Sequence, residues 1–295
     1  LLHHMKELQD TQLQHLSRMD FLKDQLLMLL PVSFVWLGGL VWLLRQKNYR
    51  IVGYMFLLIL LLLMLGSGKA YYTLGAYPMM LAAGGIWTES LSLKRRWLRV
   101  AFAGLIFLLA LPFVPLMLPM QKPADMAAFN QKYGFEKLGL LRWEDCQNHP
   151  LQQDFADMLG WEEVAQKTEI LYQQQPDSVK ASTIVYCANY GLAASMKYFA
   201  NDPSFRDKII SENGTFLLWA PDRLYFKHLI YVDDEMPEED DNVLRRFAPV
   251  TVVDSCTNLL SRQYGTKIFH FKNATDSAWI IAAQDIRKEK QTFSR

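Results

Sequence analysis

The chain of 295 residues is 51% hydrophobic, with a formal net charge of +1 and a mean hydropathy near zero. That length suits about two domains. The near-neutral charge supplies no basic excess for a nucleic-acid partner, and none is expected. These averages conceal a partition, because the apolar residues crowd into the first 120 positions.

In chain order, residues 4–24 place Leu8, Leu13, Leu16, Met19 and Leu22 at mostly helical intervals among polar residues. That spacing suits a helix lying in a membrane interface, with a solvated loop as the alternative. Residues 25–44 (QLLMLLPVSFVWLGGLVWLL), 51–66 (IVGYMFLLILLLLMLG) and 102–120 (FAGLIFLLALPFVPLMLPM) carry no charge, and residues 71–86 form a fourth, more polar run. A bilayer core takes about 20 apolar residues per helix. The expectation is therefore an α-helical polytopic membrane region, with about four transmembrane helices within residues 25–120.

The loop after the first run holds Arg45, Lys47 and Arg50, and the loop before the last holds Lys94, Arg95, Arg96 and Arg99, without an acid in either. The positive-inside rule makes both cytoplasmic. Residues 1–24, residues 66–78 and everything after about position 120 then lie outside. A multi-pass protein of the inner (cytoplasmic) membrane is expected, with a periplasmic C-terminal domain.

Pro112, Pro115 and Pro119 close the last apolar run, and residues 121–295 read as a soluble α/β domain. Residues 154–174 carry apolar positions spaced for one amphipathic helix. Residues 182–187, 215–220, 228–233, 249–255 and 266–271 are short, partly β-branched runs that read as strands, and residues 189–199 as a helix. Between them Gly191 reads as a turn residue. The acid-rich segment 233–241 reads as a helix start, with Pro237 at its first turn and Arg245 and Arg246 at its end, rather than as a metal loop. Asn213 and Asn273 head glycosylation sequons, which matter only in a host that uses them. Three cysteines allow at most one pair; Cys187 and Cys256, in or beside strand-like runs, read as small buried hydrophobes, and Cys146 is the third. No signal peptide is evident, and LLHHMKEL reads like the interior of a protein.

Residues 66–78, GSGKAYYTLGAYP, carry the chemistry. Lys69 is the one basic residue of an outside loop that is otherwise uncharged, and Tyr71, Tyr72 and Tyr77 flank it. A snorkelling lysine within an aromatic belt is one reading. The other is a cation with phenol donors seated at the outer membrane edge to hold a lipid phosphate. The small residues that follow (Gly75, Ala76, Ala82, Ala83, Gly84, Gly85) predict close helix packing, with the tyrosines turned toward protein or a cavity. His3, His4 and Glu7 form a second polar group that could meet phosphate or metal.

The stretch GKAYYTLGAYPMMLAAGG resembles the Lys-x-Tyr-Tyr…Tyr-Pro…Ala-Gly signature of bacterial glycosyltransferase family 39 proteins, relatives of the dolichyl-phosphate-mannose–protein mannosyltransferases and of the lipid A aminoarabinose transferase. HMKELQDTQL and VYCANYGLAASMKYF are similar to segments on either side of it, so the resemblance runs through most of the chain in order. It implies a GT-C-type membrane glycosyltransferase that moves a hexosyl or pentosyl group from a polyprenyl-phosphate donor to a lipid or protein acceptor outside the membrane. Donor-phosphate contacts would fall on Lys69, on Tyr71 or Tyr72, and on His4. The family's catalytic aspartate would lie upstream of the matched segment, so no catalytic residue is assigned and the 295 residues alone would be inactive. A divalent metal stays open as a cofactor, with no ligand assigned. A membrane-anchored binding or sensory protein is the alternative; a transporter segment is a third, with only Glu89 as a charge within a helix to support it.

Overall fold

A computed structural model describes residues 18–93, 95–145, 147–237, 241–247, 250 and 252–293. The chain is mostly helical and contains one mixed five-stranded sheet. It divides into two compact units. One comprises the described residues up to Lys122 with Glu144–Gln147, the other Pro123–Trp143 with Asn148–Arg295.

The first unit contains α1 (Arg18–Met28), α2 (Ser33–Arg45), α3 (Arg50–Leu65), α4 (Tyr77–Ser92), α5 (Arg96–Ala110) and the short α6 (Val114–Met117). Among the described residues, only the Arg96–Met117 segment is by itself both long and apolar enough to cross a membrane. It runs 22 residues and leaves large side chains such as Val100, Phe107 and Leu108 exposed. The first predicted span is interrupted instead: α1 and the following helix Leu30–Arg45 meet at 73°, and would count as a second span only if taken together. Pro31 explains the break, because it cannot donate to the preceding turn. The α3 helix is apolar, but its 16 residues reach only about 24 Å. The first six residues of the fourth predicted run belong to the 3-10 helix Ala70–Ala76, and only the remainder is α. One spanning helix, or up to two, therefore stands among the described residues where four were expected.

Small residues do bring α2 and α4 together. A Cβ on Gly39 would stand 2.2 Å from the Met80 carbonyl oxygen, and one on Gly84 the same distance from that of Val35. Only hydrogen fits at either position. Trp36, Phe56, Tyr77 and Met80 fill the core beside this crossing, with the Tyr77 ring edge-on to both Trp36 and Phe56 at 5.3 Å.

In the second unit, α7 (Pro123–Tyr133), α8 (Gln153–Ala156), α9 (Trp161–Gln173) and α10 (Asp177–Ala181) precede β1 (Thr183–Cys187). Then follow α11 (Tyr190–Phe199), α12 (Pro203–Arg206), β2 (Ile209–Ile210), β3 (His228–Asp233), β4 (Val252–Ser255), β5 (Lys267–Phe271) and α13 (Asp276–Phe293). The sheet order is β2-β1-β3-β5-β4; the first three strands are parallel, and β5 runs antiparallel to both β3 and β4. Alternation along the strands sends Val185, Cys187, Ile230, Val232 and Ile268 to the face covered by α9 and α11. Ile184, Leu229, Phe269 and Phe271 face α13 through Ala278, Ala282, Ala283 and Ile286. An α/β layer domain results.

Four local expectations need correction. Residues 154–174 are not one helix, because Gly160 adopts φ +85° between α8 and α9, where Ser261 leaves no room for a side chain. The apolar run 215–220 is no strand but part of the 3-10 helix Gly214–Trp219, whose Leu217 alone is fully buried. Gly191 lies inside α11 rather than in the turn, and the turn is closed by Asn189, whose side chain accepts from the Leu192 N–H at 2.9 Å. Beyond Pro237, residues 238–240 lie outside the described set; among the described residues of the expected helix, only Leu244–Arg246 is helical, as one 3-10 turn. Cys187 and Cys256 are buried free thiols, in keeping with their reading as small hydrophobes; Cys146 lies outside the described residues.

Candidate functional site

The chain leaves α3 through Gly66, Ser67 and Gly68, with Ser67 at φ +52°. Gly66 N–H and Gly68 N–H donate back to the carbonyls of Leu62 and Leu63, which closes the helix end. Lys69 then stands in extended conformation, and its carbonyl accepts from Tyr72 N–H to start the 3-10 turn.

That turn is fixed to α1 by a polar cluster that the apolar pattern does not reveal. Gln25 is 3% exposed. Its amide donates to the carbonyls of Phe21 and Ala70, both at 3.3 Å, and its oxygen accepts from the hydroxyls of Thr73 at 2.6 Å and Tyr77 at 2.8 Å. Every polar atom of the side chain is thus satisfied, as burial demands. Gln25→Leu removes the acceptor of the buried Tyr77 hydroxyl, while Thr73 keeps the Ala70 carbonyl at 2.8 Å, so it is expected to cost about 1–3 kcal/mol. A lower melting temperature of the purified chain in detergent is the measurement.

Of the residues proposed for the donor phosphate, Lys69, Tyr71 and Tyr72 are brought together. The two tyrosine rings meet edge to face at 4.9 Å, and both are about half exposed. The expectation that the tyrosines turn inward holds only for Tyr77, which is 2% exposed. His4, His3 and Glu7 lie outside the described residues.

The Lys69 side chain is 17% exposed, and its ammonium donates to the Glu144 carboxylate, an acid of the same unit. Burial works against the Lys69 charge, but the hydrogen bond and charge of Glu144 outweigh it and raise the pKa further. The ammonium is therefore permanently charged at neutral pH. Sequence reading missed Glu144. It stands 75 residues from Lys69, in RWEDCQ, and nothing in that local pattern signals a partner.

In the second unit the described residues contain no group of three or more His, Cys, Asp or Glu that could hold a metal ion. Two titratable groups there, the buried His270 and the half-buried Glu212, contribute to the pH response. Burial, then the positive charge of Lys272, pushes His270 down to about 4 from 6.5. Burial, then Glu289, Asp285 and Asp241, pushes Glu212 up to about 7 from 4.5. Unfolding lets His270 take up a proton below 6.5, so its contribution to stability is lost as pH falls from 6.5 to 4. Glu212 keeps its proton in the fold while the unfolded chain releases it, so its contribution is lost as pH rises from 4.5 to 7. Glu212→Gln should consequently gain of order 2 kcal/mol on wild type at pH 8 and almost nothing at pH 4. Thermal melts at the two pH values test this.

Compared with known protein families, with curated proteins and with solved structures, the chain matches none at the level that would show kinship.

Proposed function

We propose that the chain is part of an integral-membrane glycosyltransferase that takes a sugar from a polyprenyl-phosphate donor and hands it to a lipid or protein acceptor outside the membrane. The observation that carries this reading is the Lys69 ammonium, largely buried yet charged, beside two half-exposed phenols at the end of an apolar helix. The resemblance of the Lys-Ala-Tyr-Tyr segment to family 39 supplies the sugar chemistry. In this proposal the Arg96–Met117 helix crosses the membrane, and the shorter apolar helices α2, α3 and α4 lie within it without each being long enough to cross. Their exposed leucines, isoleucines and phenylalanines then face lipid tails instead of water.

A phosphate at Lys69 must share or displace the Glu144 carboxylate. Two phenol hydroxyls from Tyr71 and Tyr72 can donate to the remaining phosphate oxygens. Fixed cation and donors of this kind stabilise the charge that grows on the phosphate as the sugar departs. The base that takes the acceptor's proton is not assigned to any described residue.

One observation favours the non-enzymatic reading of a membrane-anchored binding protein. The Lys69–Glu144 pair already gives the lysine a counter-ion, as a structural tie would. Transfer assays of the complete enzyme with defined polyprenyl-phosphate sugars separate the two. Turnover of at least one donor supports the enzyme; failure with every donor, in protein that still melts cooperatively, supports the anchor.

A further inference from the structure

Segment 220–223 meets the last two turns of α13, and an open cleft of about 400 Å³ lies there. Asp222, Arg223, Arg287, Lys290 and Gln291 line it. Helical spacing puts Arg287, Lys290 and Gln291 on one face of α13, since i, i+3 and i+4 are neighbours. The Lys290 ammonium is anchored: it donates to the Ala220 carbonyl at 2.6 Å and to Asp222 at 2.8 Å. Asp222 is thus the single acid of the cleft, and Lys290 already neutralises it. Neither Arg223 nor Arg287 has an ion pair or hydrogen bond among the described residues. Two guanidiniums and an ammonium against one carboxylate leave the cleft with two uncompensated positive charges.

Beside it the surface is apolar. Leu218 and Trp219 directly precede Ala220 and are 48% and 70% exposed. A planar guanidinium pair matches phosphate oxygens better than any other common anion, because each fork can donate two parallel hydrogen bonds. Exposed tryptophan and leucine next to such cations suit a phosphate carried on a lipid.

We propose that this cleft is a phosphate-binding site, taking a phosphate monoester through Arg223 and Arg287, with Lys290 and Gln291 as flanking donors. The site lies in the second unit and shares no residue with the Lys69 group, so it stands whether or not the glycosyltransferase reading does. A lipid headgroup and free phosphate offer the same chemistry to the cleft, and Leu218 and Trp219 favour the lipid.

Titration of the full chain in neutral detergent tests the site, with inorganic phosphate in one arm and a short-chain phosphatidic acid in the other. A phosphatidylcholine of equal chain length controls for uptake into the micelle. Saturable binding of phosphatidic acid, displaced by inorganic phosphate and weakened about tenfold or more in Arg223→Gln/Arg287→Gln, is the expected result. Arg223→Lys/Arg287→Lys keeps both charges and should retain part of the affinity. Equal affinity for the two probes also supports the phosphate site and assigns it to free phosphate. The proposal is overturned if neither probe binds, if phosphatidylcholine binds as well, or if the glutamine double variant melts normally and binds like wild type. Should that double variant melt early, the single variant Arg287→Gln, on the exposed face of α13, decides by the same comparison.

Discussion

Lys69→Gln is expected to lower sugar transfer by the intact enzyme roughly 10- to 150-fold. The substitution removes a charge-assisted contact of about 1.5–3 kcal/mol from a largely buried side chain, at about 1.4 kcal/mol per decade of rate. Lys47→Gln, the same chemical change on an exposed lysine between α2 and α3, should leave turnover unchanged. Tyr72→Phe keeps the ring and deletes the donor, so a loss there points to hydrogen bonding with phosphate rather than to anchoring. Glu144→Gln should act in the opposite direction from Lys69→Gln on donor affinity. It removes the charge that competes for the ammonium. If the pair is only a structural tie, both substitutions lower the melting temperature and neither changes affinity.

The second large effect concerns Glu163 on α9. Its carboxylate accepts from the Thr257 N–H at 2.8 Å and the Thr257 hydroxyl at 2.7 Å, and pairs with Lys167 at 2.9 Å. Lys167 in turn reaches Asp254 on β4 and the Ser255 carbonyl, so the cluster fastens α9 to the edge of the sheet. Burial opposes the Glu163 charge, but Thr257, Lys167 and Cys256 outweigh it and hold the carboxyl at about 2. A depressed carboxylate contributes stability above its unfolded value of 4.5, and that contribution fades as pH falls toward 2. Glu163→Ala is therefore expected to cost about 2 kcal/mol at pH 7 and much less at pH 3. An equal loss at both pH values would assign the effect to packing instead of charge.

The strands β1, β3 and β5 were legible because each alternates between two buried faces and ends at polar residues, as Thr183–Cys187 does. The two residues of β2 were not, since a pair of isoleucines has no period to read. Residues 215–220 misled for the opposite reason. Phe216, Leu217, Leu218 and Trp219 make an unbroken apolar run, which fits strand and helix equally at that length. In the first unit, composition marked the apolar helices, but Pro31 and the 3-10 turn shortened two of them.

The candidate site was half visible. Lys69, Tyr71 and Tyr72 adjoin in sequence, so their shared chemistry could be read directly. Gln25 looked like the polar end of an apolar run, although it organises the turn that presents Lys69. Glu144 required the fold, because its pairing spans 75 residues.

Equilibrium binding of a polyprenyl phosphate to the 295-residue chain in neutral detergent addresses the Lys69 site without requiring turnover. Wild type should bind saturably, Lys47→Gln should match it, and Lys69→Gln should bind about tenfold or more weakly while melting at a similar temperature. Equal binding by Lys69→Gln and wild type would contradict the phosphate role and leave Lys69 as an anchor paired to Glu144.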